Sequence, residues 1–143
     1  MIILDTNVVS ELMRGKPIES VVRWVNGQAA TSLYVTSITQ AEILHGILLL
    51  PKGKRRDAIA SAATEMFEHD FGGRILVFGS EAAAAYAVVA AARRRAGRPI
   101  SAFDAQIAAI ARSNGAKLAT RNVDDFAGCG VDVIDPWSVR SST

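Results

Sequence analysis

The chain has 143 residues, a length typical of one folded domain, so we expect a single domain spanning residues 1–143. Half of the residues are apolar and 21% are charged, which excludes an intrinsically disordered chain. The 16 Lys and Arg residues against 14 Asp and Glu residues give a net charge of +2, a field only mildly attractive to phosphate-rich partners. Cys129 is the only cysteine, which excludes an intrachain disulfide and a cysteine-based zinc site.

Hydrophobic periodicity predicts an alternation of short strands and longer helices along the chain. The expected strands cover residues 2–4, 33–36, 74–78, 117–119 and 131–134, and the expected helices cover about 7–14, a segment from Pro17, 39–50, 59–70, 81–96 and 101–114. The basic residues 52–56 are expected to form a charged turn. Strands separated by helices pair in parallel, in a sheet covered on both faces. We therefore expect an α/β fold with a mostly parallel central sheet.

We expect neither a signal peptide nor a membrane span. Asp5 interrupts the first apolar stretch and no basic leader precedes it. The longest apolar run, residues 82–92, has 11 residues and is too short to cross a bilayer. Together with the lone cysteine, which suits a reducing compartment, these features indicate a cytoplasmic protein.

Three acidic residues lie near the carboxyl ends of predicted strands or at the start of a helix. Asp5 follows the first strand directly, Glu42 begins the helix after the second strand, and Asp104 lies in the first turn of the last helix. A further polar group follows the fourth strand and comprises Thr120, Asn122, Asp124 and Asp125. Open parallel sheets bind ligands beyond the carboxyl ends of their strands, so we expect these groups to converge at one edge.

A purely structural role is the alternative for two of these acids. The segments TQAE, ending at Glu42, and SAFD, ending at Asp104, have the spacing of a capping box, in which a hydroxyl and an acid satisfy free backbone donors. Asp5 is different, because a carboxylate beside a core strand is costly to bury without a partner. Capping and function are compatible, so both interpretations stay open for Glu42 and Asp104.

The combination of acids predicts a site for a hard divalent metal ion. Carboxylates crowded at one sheet edge repel one another, and a bound cation relieves that repulsion. The available donors are oxygen atoms of Asp, Glu, Asn and Thr, which suit Mg²⁺ or Mn²⁺ better than zinc or copper. Because Mg²⁺ usually binds substrate phosphate oxygens as well as protein carboxylates, the site indicates phosphoryl chemistry.

Five ordered segments carry a resemblance to a known family: LDTNVVSEL, TSITQAEILHG, ISAFDAQIAAIA, LATRNVDDF and VIDPW. Together they are similar to the PIN-domain ribonucleases, and most closely to the VapC-type toxins of bacterial toxin-antitoxin pairs. The resemblance spans nearly the whole chain and implies a compact three-layer α/β/α sandwich. It also implies cleavage of RNA with Mg²⁺ or Mn²⁺, a homodimer, and inhibition by a cognate antitoxin protein.

The resemblance further implies which residues do the chemistry. The three catalytic acids of the family correspond to Asp5, Glu42 and Asp104, which are expected to bind the metal. Some members carry a fourth acid where this chain has Asn122, which leaves Asn122 or the nearby Asp125 as a secondary contributor. A metal held by Asp5 and Asp104, with Glu42 bound directly or through water, would lower the pKa of a water that attacks the phosphodiester in line. The number of metal ions, one or two, stays open.

Three polar residues beside the acids have two open interpretations. The hydroxyls of Thr6 and Thr120 and the amide of Asn7 either orient the acids or belong to local turns. In the first case they act as supports for the metal ligands, and in the second they have no functional role.

The candidates for RNA contact are basic or aromatic. Arg121 adjoins the expected site and is favoured as an RNA-binding residue. The basic clusters at residues 52–56 and 93–98 are weaker candidates, because most charged runs only solvate a surface. For Trp24 and Trp137 we favour packing in a core or an interface over stacking on RNA bases.

Three other functional classes compete with a nuclease. A catalytically inactive PIN fold would bind only RNA or an antitoxin, and the three retained acids argue against it. A receiver-like signalling domain would need a phosphoacceptor aspartate after a middle strand, where this chain has Phe78 and Gly79, and a lysine at a late strand end, whereas Lys117 precedes its strand. A haloacid-dehalogenase-like phosphatase would need a second aspartate at the position of Asn7.

Overall fold

The computed structural model describes residues 1–138, which form a five-stranded sheet flanked by six α-helices. The strands are β1 (Ile2–Leu4), β2 (Leu33–Thr36), β3 (Ile75–Leu76), β4 (Lys117–Ala119) and β5 (Val133–Ile134). The helices are α1 (Thr6–Leu12), α2 (Glu19–Asn26), α3 (Ser37–Leu48), α4 (Lys54–Glu65), α5 (Ser80–Arg95) and α6 (Ala102–Ser113). All four strand pairings are parallel, in the order β3-β2-β1-β4-β5, which confirms the predicted α/β fold. The expected domain also includes residues 139–143, which lie outside the described residues.

Two separate hydrophobic cores cover the two faces of the sheet. Successive strand residues point to opposite faces, so Leu4 and Ala119 belong to one core and Ile3 and Leu118 to the other. The first core includes helical residues of α1 to α4, namely Val8, Val9, Val21, Ile43, Ile47 and Ala63. The second includes residues of α5 and α6, namely Ala82, Val89, Ile107, Ala108, Ile110 and Ala111. The fold is therefore a three-layer α/β/α sandwich, as predicted.

Some element boundaries differ from the predicted ones. Helix α3 begins at Ser37, two residues before the predicted start, and α4 begins at Lys54, so the expected charged turn at 52–56 is wrong for its last three residues. The helix predicted to run to residue 70 ends as the π-helical turn Met66–Asp70. Strand β3 is shorter than the predicted 74–78, because it is an edge strand that pairs with β2 alone. In the described part of the chain, no helix is both long and apolar enough to cross a membrane.

The carboxyl end of β1 lies at the point where the strand order reverses. The chain builds β2 and β3 on one side of β1 and later places β4 and β5 on the other side. Leu4 pairs with Ala119, and the Asp5 N–H donates to the Ala119 carbonyl at 2.9 Å. Asp5 and Thr120 therefore leave the sheet side by side, in the crevice where open parallel sheets bind ligands.

Helices α5 and α6 pack closely against one another as an antiparallel pair. The start of α5 and the end of α6 line a shared cavity, so the end of α5 and the start of α6 lie together at the opposite end of the pair. This end faces the loop that follows β4. The pair therefore brings the first turn of α6 toward the carboxyl edge of the sheet.

Arg93, on the last turns of α5, ties this loop to the helical pair. Its side chain is only 7% exposed, and its Nη1 donates to the carbonyl oxygens of Asp125 at 2.8 Å and Ala127 at 2.7 Å. Its Nε donates to the Arg98 carbonyl at 2.6 Å. The weaker prediction that residues 93–98 contact RNA is therefore wrong for Arg93, whose guanidinium is used inside the protein.

Replacing Arg93 should destabilise the fold. An Arg93→Met substitution keeps much of the apolar stem but leaves partly buried carbonyl groups without donors, so we expect a loss of about 3 kcal/mol in the free energy of unfolding. Urea denaturation measures this loss. The matched control, Arg95→Met, alters an exposed arginine of the same helix and should change stability by less than about 0.5 kcal/mol. Equal losses in both variants would contradict a structural role for Arg93.

Candidate active site

Asp5 is a buried carboxylate held at the end of the central strand. Its side chain is 4% exposed. Its Oδ2 accepts hydrogen bonds from the Thr120 hydroxyl at 2.7 Å and the Asn7 amide at 3.3 Å. Its Oδ1 accepts the Thr6 backbone N–H at 2.9 Å. Because the Asn7 amide also donates to the Thr120 hydroxyl at 3.1 Å, these groups form one network that fixes the orientation of the carboxylate.

Glu42 is connected to α1 and to the end of β2 by a chain of threonine side chains. The Thr6 hydroxyl donates to Glu42 Oε1 at 2.9 Å and lies 3.0 Å from the buried Thr39 hydroxyl. The Thr39 N–H donates to the Thr36 hydroxyl at 3.1 Å, so Thr36 caps α3 and Thr39 does not. The capping-box alternative for Glu42 is therefore wrong. Its side chain instead reaches across to α1.

Asp104 lies in the first turn of α6 and is half-buried. The Ser101 hydroxyl accepts the Asp104 backbone N–H at 3.2 Å, which confirms that Ser101 caps this helix. This bond uses the backbone of Asp104, and its carboxylate faces the same cavity as Asp5 and Glu42. The backbone of Asp104 therefore takes part in capping α6, while its carboxylate is placed at the cavity.

The three acids line one cavity of about 480 Å³ beyond the carboxyl ends of the strands. The remaining lining residues are Thr6, Asn7, Ser10, Glu11, Arg14, Arg121, Asn122 and Trp137. Of the other candidates, Thr120 is fully buried and reaches the site through its bond to Asp5. Asp125 does not line the cavity, although its charge acts on Asp104 from nearby. A larger neighbouring cavity of about 800 Å³ shares part of the wall, including Arg14 and Glu42.

Burial is the main influence on the ionisation of the two aspartates. It raises the pKa of Asp5 from 3.8 to about 6, against the hydrogen bonds from Thr120 and Thr6, which lower the pKa. The negative charges of Asp104 and Glu42 make smaller contributions to this raised pKa. Burial also raises the pKa of Asp104 above its ordinary value. The cavity thus holds carboxylates that are costly to ionise unless a cation is near.

The donor chemistry of the cavity suits a hard cation. Carboxylate, hydroxyl and amide oxygens line it, and neither histidine nor cysteine does so within residues 1–138. In the same part of the chain, no three His, Cys, Asp or Glu side chains are gathered tightly enough to hold an ion by themselves. Mg²⁺ commonly takes only one or two carboxylates and completes its shell with water and phosphate oxygens, so an open set of acids fits it.

Sequence reasoning missed Glu11 and Arg14 as cavity residues. The Glu11 carboxylate is 6% exposed. It accepts hydrogen bonds from the Arg14 guanidinium at 3.2 Å and from the Ile18 backbone N–H at 3.3 Å. Asn7 and Glu11 are four residues apart and share one face of α1, whereas Arg14 follows the end of the helix. The position of Asn7 beside the expected site could therefore have identified Glu11.

The family of the chain follows from comparison with known proteins. The model of the PIN domain family matches residues 2–128. The chain belongs to the PIN domain family. This PIN domain chain is 42% identical over 137 residues to the plasmid stability protein StbB of Pseudomonas syringae pv. tomato, covering 96% of this chain and 99% of that protein.

Two further relatives of this PIN domain carry functional names. The chain is 37% identical to VapC ribonuclease Y4jK of Sinorhizobium fredii, covering 96% of this chain and 98% of that protein. It is also 37% identical to Toxin FitB of Neisseria gonorrhoeae, covering 96% of this chain and 99% of that protein. A solved structure of FitAB bound to an IR36 DNA fragment matches this PIN domain with a TM-score of 0.92 at 36% identity, covering 100% of both chains. The resemblance recognised in the sequence is confirmed.

The raised pKa of Asp5 predicts that the metal-free PIN domain loses stability as the pH rises. The folded protein binds the Asp5 proton more tightly than the unfolded chain does, so the free energy of unfolding should fall between about pH 4 and pH 7. A pKa of about 6 in place of 3.8 corresponds to about 3 kcal/mol at pH 7. Urea denaturation in EDTA across this range measures the fall.

Two variants isolate the contribution of Asp5. Asp5→Asn should remove most of the decline and leave the smaller part due to Asp104. Asp132→Asn, which alters an exposed aspartate away from the cavity, should keep the wild-type dependence. Parallel pH profiles for wild type and Asp5→Asn would show that Asp5 titrates normally in the folded protein.

Proposed function

We propose that this protein is a metal-dependent endoribonuclease that acts as the toxin of a toxin-antitoxin pair and hydrolyses RNA phosphodiester bonds. The observation that carries the proposal is the convergence of Asp5, Glu42 and Asp104 on one cavity at the switch point of the sheet. The names of its relatives, a VapC ribonuclease and a FitB toxin, support the same activity. Acids placed so far apart in the chain have no shared structural role that would bring them together.

We propose Mg²⁺ or Mn²⁺ as the cofactor, held by Asp5 and Asp104 with Glu42 as a direct or water-linked ligand. When bound there, such an ion polarises the phosphodiester and lowers the pKa of a coordinated water. The chain itself supplies the orientation. Thr120 and Asn7 hold the carboxylate of Asp5, and cation binding would favour its ionised form despite the raised pKa.

The other polar residues of the cavity have supporting parts in this proposal. Thr6 positions Glu42 through its hydroxyl, and Asn122 lines the cavity where some family members have an acid. The three acids give the site a negative charge that repels RNA, so cations at its rim are needed to admit the substrate. Arg121 lines the cavity and supplies positive charge there, whereas Arg14, which also lines it, is ion-paired with Glu11. Asp125, which does not line the cavity, acts only through its charge on Asp104.

We further propose a cognate antitoxin protein and a second copy of the chain as partners, in the cytoplasm where RNA is met. Large apolar side chains are exposed in the described structure, among them Leu48, Leu49, Val77, Val88 and Phe103. Exposed apolar area of this kind favours association with other chains. The toxin name of the FitB relative supports the antitoxin partner.

The catalytic proposal predicts loss of RNA cleavage when an acid is neutralised. Residues that only orient metal ligands typically contribute about 10- to 100-fold, so Asp5→Asn, Glu42→Gln and Asp104→Asn should each lower the cleavage rate by at least about 100-fold. Gel assays with tRNA, rRNA and mRNA, in Mg²⁺ and in EDTA, measure the rate. Asp132→Asn should cleave as the wild type does.

The same assay distinguishes the main alternative, an inactive PIN fold that only binds RNA or antitoxin. Retained RNA affinity with lost cleavage in Asp5→Asn supports the enzyme. Wild-type protein that cuts none of the RNAs in Mg²⁺ or Mn²⁺, yet still binds them, would favour the binding module.

The cofactor proposal predicts metal binding that is visible without activity. Mg²⁺ added to the metal-free protein at pH 7 should raise Tm by several degrees, because the ion offsets the cost of the buried carboxylate. Asp5→Asn should lose most of this increase. Differential scanning fluorimetry measures Tm, with Asp132→Asn as the control. An unchanged wild-type Tm at millimolar Mg²⁺ would contradict the metal site.

A further inference from the structure

Arg121 and Trp137 form a cation–π pair at the rim of the acid-lined cavity. The guanidinium carbon of Arg121 lies 5.4 Å from the centre of the Trp137 ring, within the range of a cation–π contact. Both side chains line the cavity that contains Asp5, Glu42 and Asp104. Arg121 is exposed, whereas Trp137 is half-buried and packs against the first hydrophobic core. The indole is thus the fixed lower layer of the pair and the guanidinium is the outer layer.

The backbone of each partner is fixed by a neighbouring side chain. The Arg121 N–H donates to Asn7 Oδ1 at 3.2 Å, and the amide of the same Asn7 donates to Asp5. The Trp137 N–H donates to Asp135 Oδ1 at 2.9 Å. The pair therefore has a fixed position relative to the carboxylate of Asp5, because the side chain of Asn7 bonds both the Arg121 backbone and Asp5.

The two cations of the cavity have different surroundings. Arg14 is ion-paired with Glu11 at 3.2 Å. Arg121, within residues 1–138, makes no ion pair with any of the three acids and lies on an aromatic ring instead. Arg121 is exposed at the rim of the cavity, so its guanidinium is accessible to a ligand, and guanidinium planes are among the surfaces on which unpaired RNA bases stack.

We propose that Arg121 and Trp137 form a stacking platform for one unpaired RNA base beside the scissile phosphate, an inference that rests on the proposed ribonuclease function. The base lies flat on the Arg121 guanidinium, which Trp137 supports from below. Stacking tolerates different bases, because every base has a flat face. The platform therefore fixes the position of the RNA relative to Asp5 more than it selects a particular sequence.

A binding experiment separates base stacking from a phosphate contact. End-labelled RNA decamers that scan a single abasic position are titrated with protein in EDTA at low salt, and fluorescence polarisation gives Kd. One abasic position should weaken wild-type binding by about tenfold. Arg121→Lys keeps the charge but lacks the flat face, so it should bind intact RNA about tenfold more weakly and should be insensitive to that abasic position. Trp137→Leu should behave in the same way.

Two results overturn the stacking platform. One is wild-type affinity in Arg121→Lys combined with weak binding of every RNA by Arg121→Gln, which would identify a phosphate contact. The other is the same Kd for all abasic RNAs. Lys117→Gln, at the amino end of β4 and thus at the opposite edge of the sheet, serves as the control for lost charge, and Tm verifies folding of each variant. Binding is measured without metal, so the two proposals can fail separately. Wild-type protein that shows the abasic effect but cuts no RNA refutes only the nuclease. Wild-type protein that cuts RNA but shows no abasic effect refutes only the platform.

Discussion

The buried carboxylate of Asp5 is the constraint on which the rest of the site depends. It lies at the end of the central strand, where water is largely excluded, and burial is the main reason that its pKa is raised to about 6. Such a group is tolerated only with fixed partners, which here come from Thr120, directly after the neighbouring strand β4, and from Asn7 and Thr6 on α1. The parallel register of β1 and β4 brings Thr120 beside Asp5, so the sheet itself builds the first part of the site.

The remaining acids are brought in by rigid elements and not by long loops. Threonine hydroxyls connect the end of β2, through Thr39 and Thr6, to Glu42. Ser101 fixes the first turn of α6, and the buried Arg93 ties the loop after β4 to the end of α5. Each connection uses a polar group with a defined partner, which holds the cavity walls in one arrangement before any ligand arrives.

The same arrangement creates a conflict between stability and chemistry. Three carboxylates around one cavity repel one another, lower the stability of the metal-free protein and repel a polyanionic substrate. In the proposed mechanism, a divalent ion would relieve both effects and would supply the activation of water. The cations at the rim differ in state, since Arg14 is neutralised by Glu11 whereas Arg121 lies on Trp137. Within residues 1–138, Arg121 is therefore the rim arginine whose charge no carboxylate neutralises.

The element types, the parallel α/β class, the family and the three candidate acids are predictable from the sequence alone, because local periodicity, end signals and ordered motifs are short-range properties of the chain. The tertiary structure was needed to show that Thr36 caps α3 and leaves the Glu42 side chain to contact Thr6, that Arg93 is buried, and that Arg14 lines the cavity. It also shows that Trp137 packs on the first core, as favoured from the sequence, and that Arg121 lies over its ring. These contacts join residues on different elements, and their free energies depend on burial and packing that no local pattern of residues encodes.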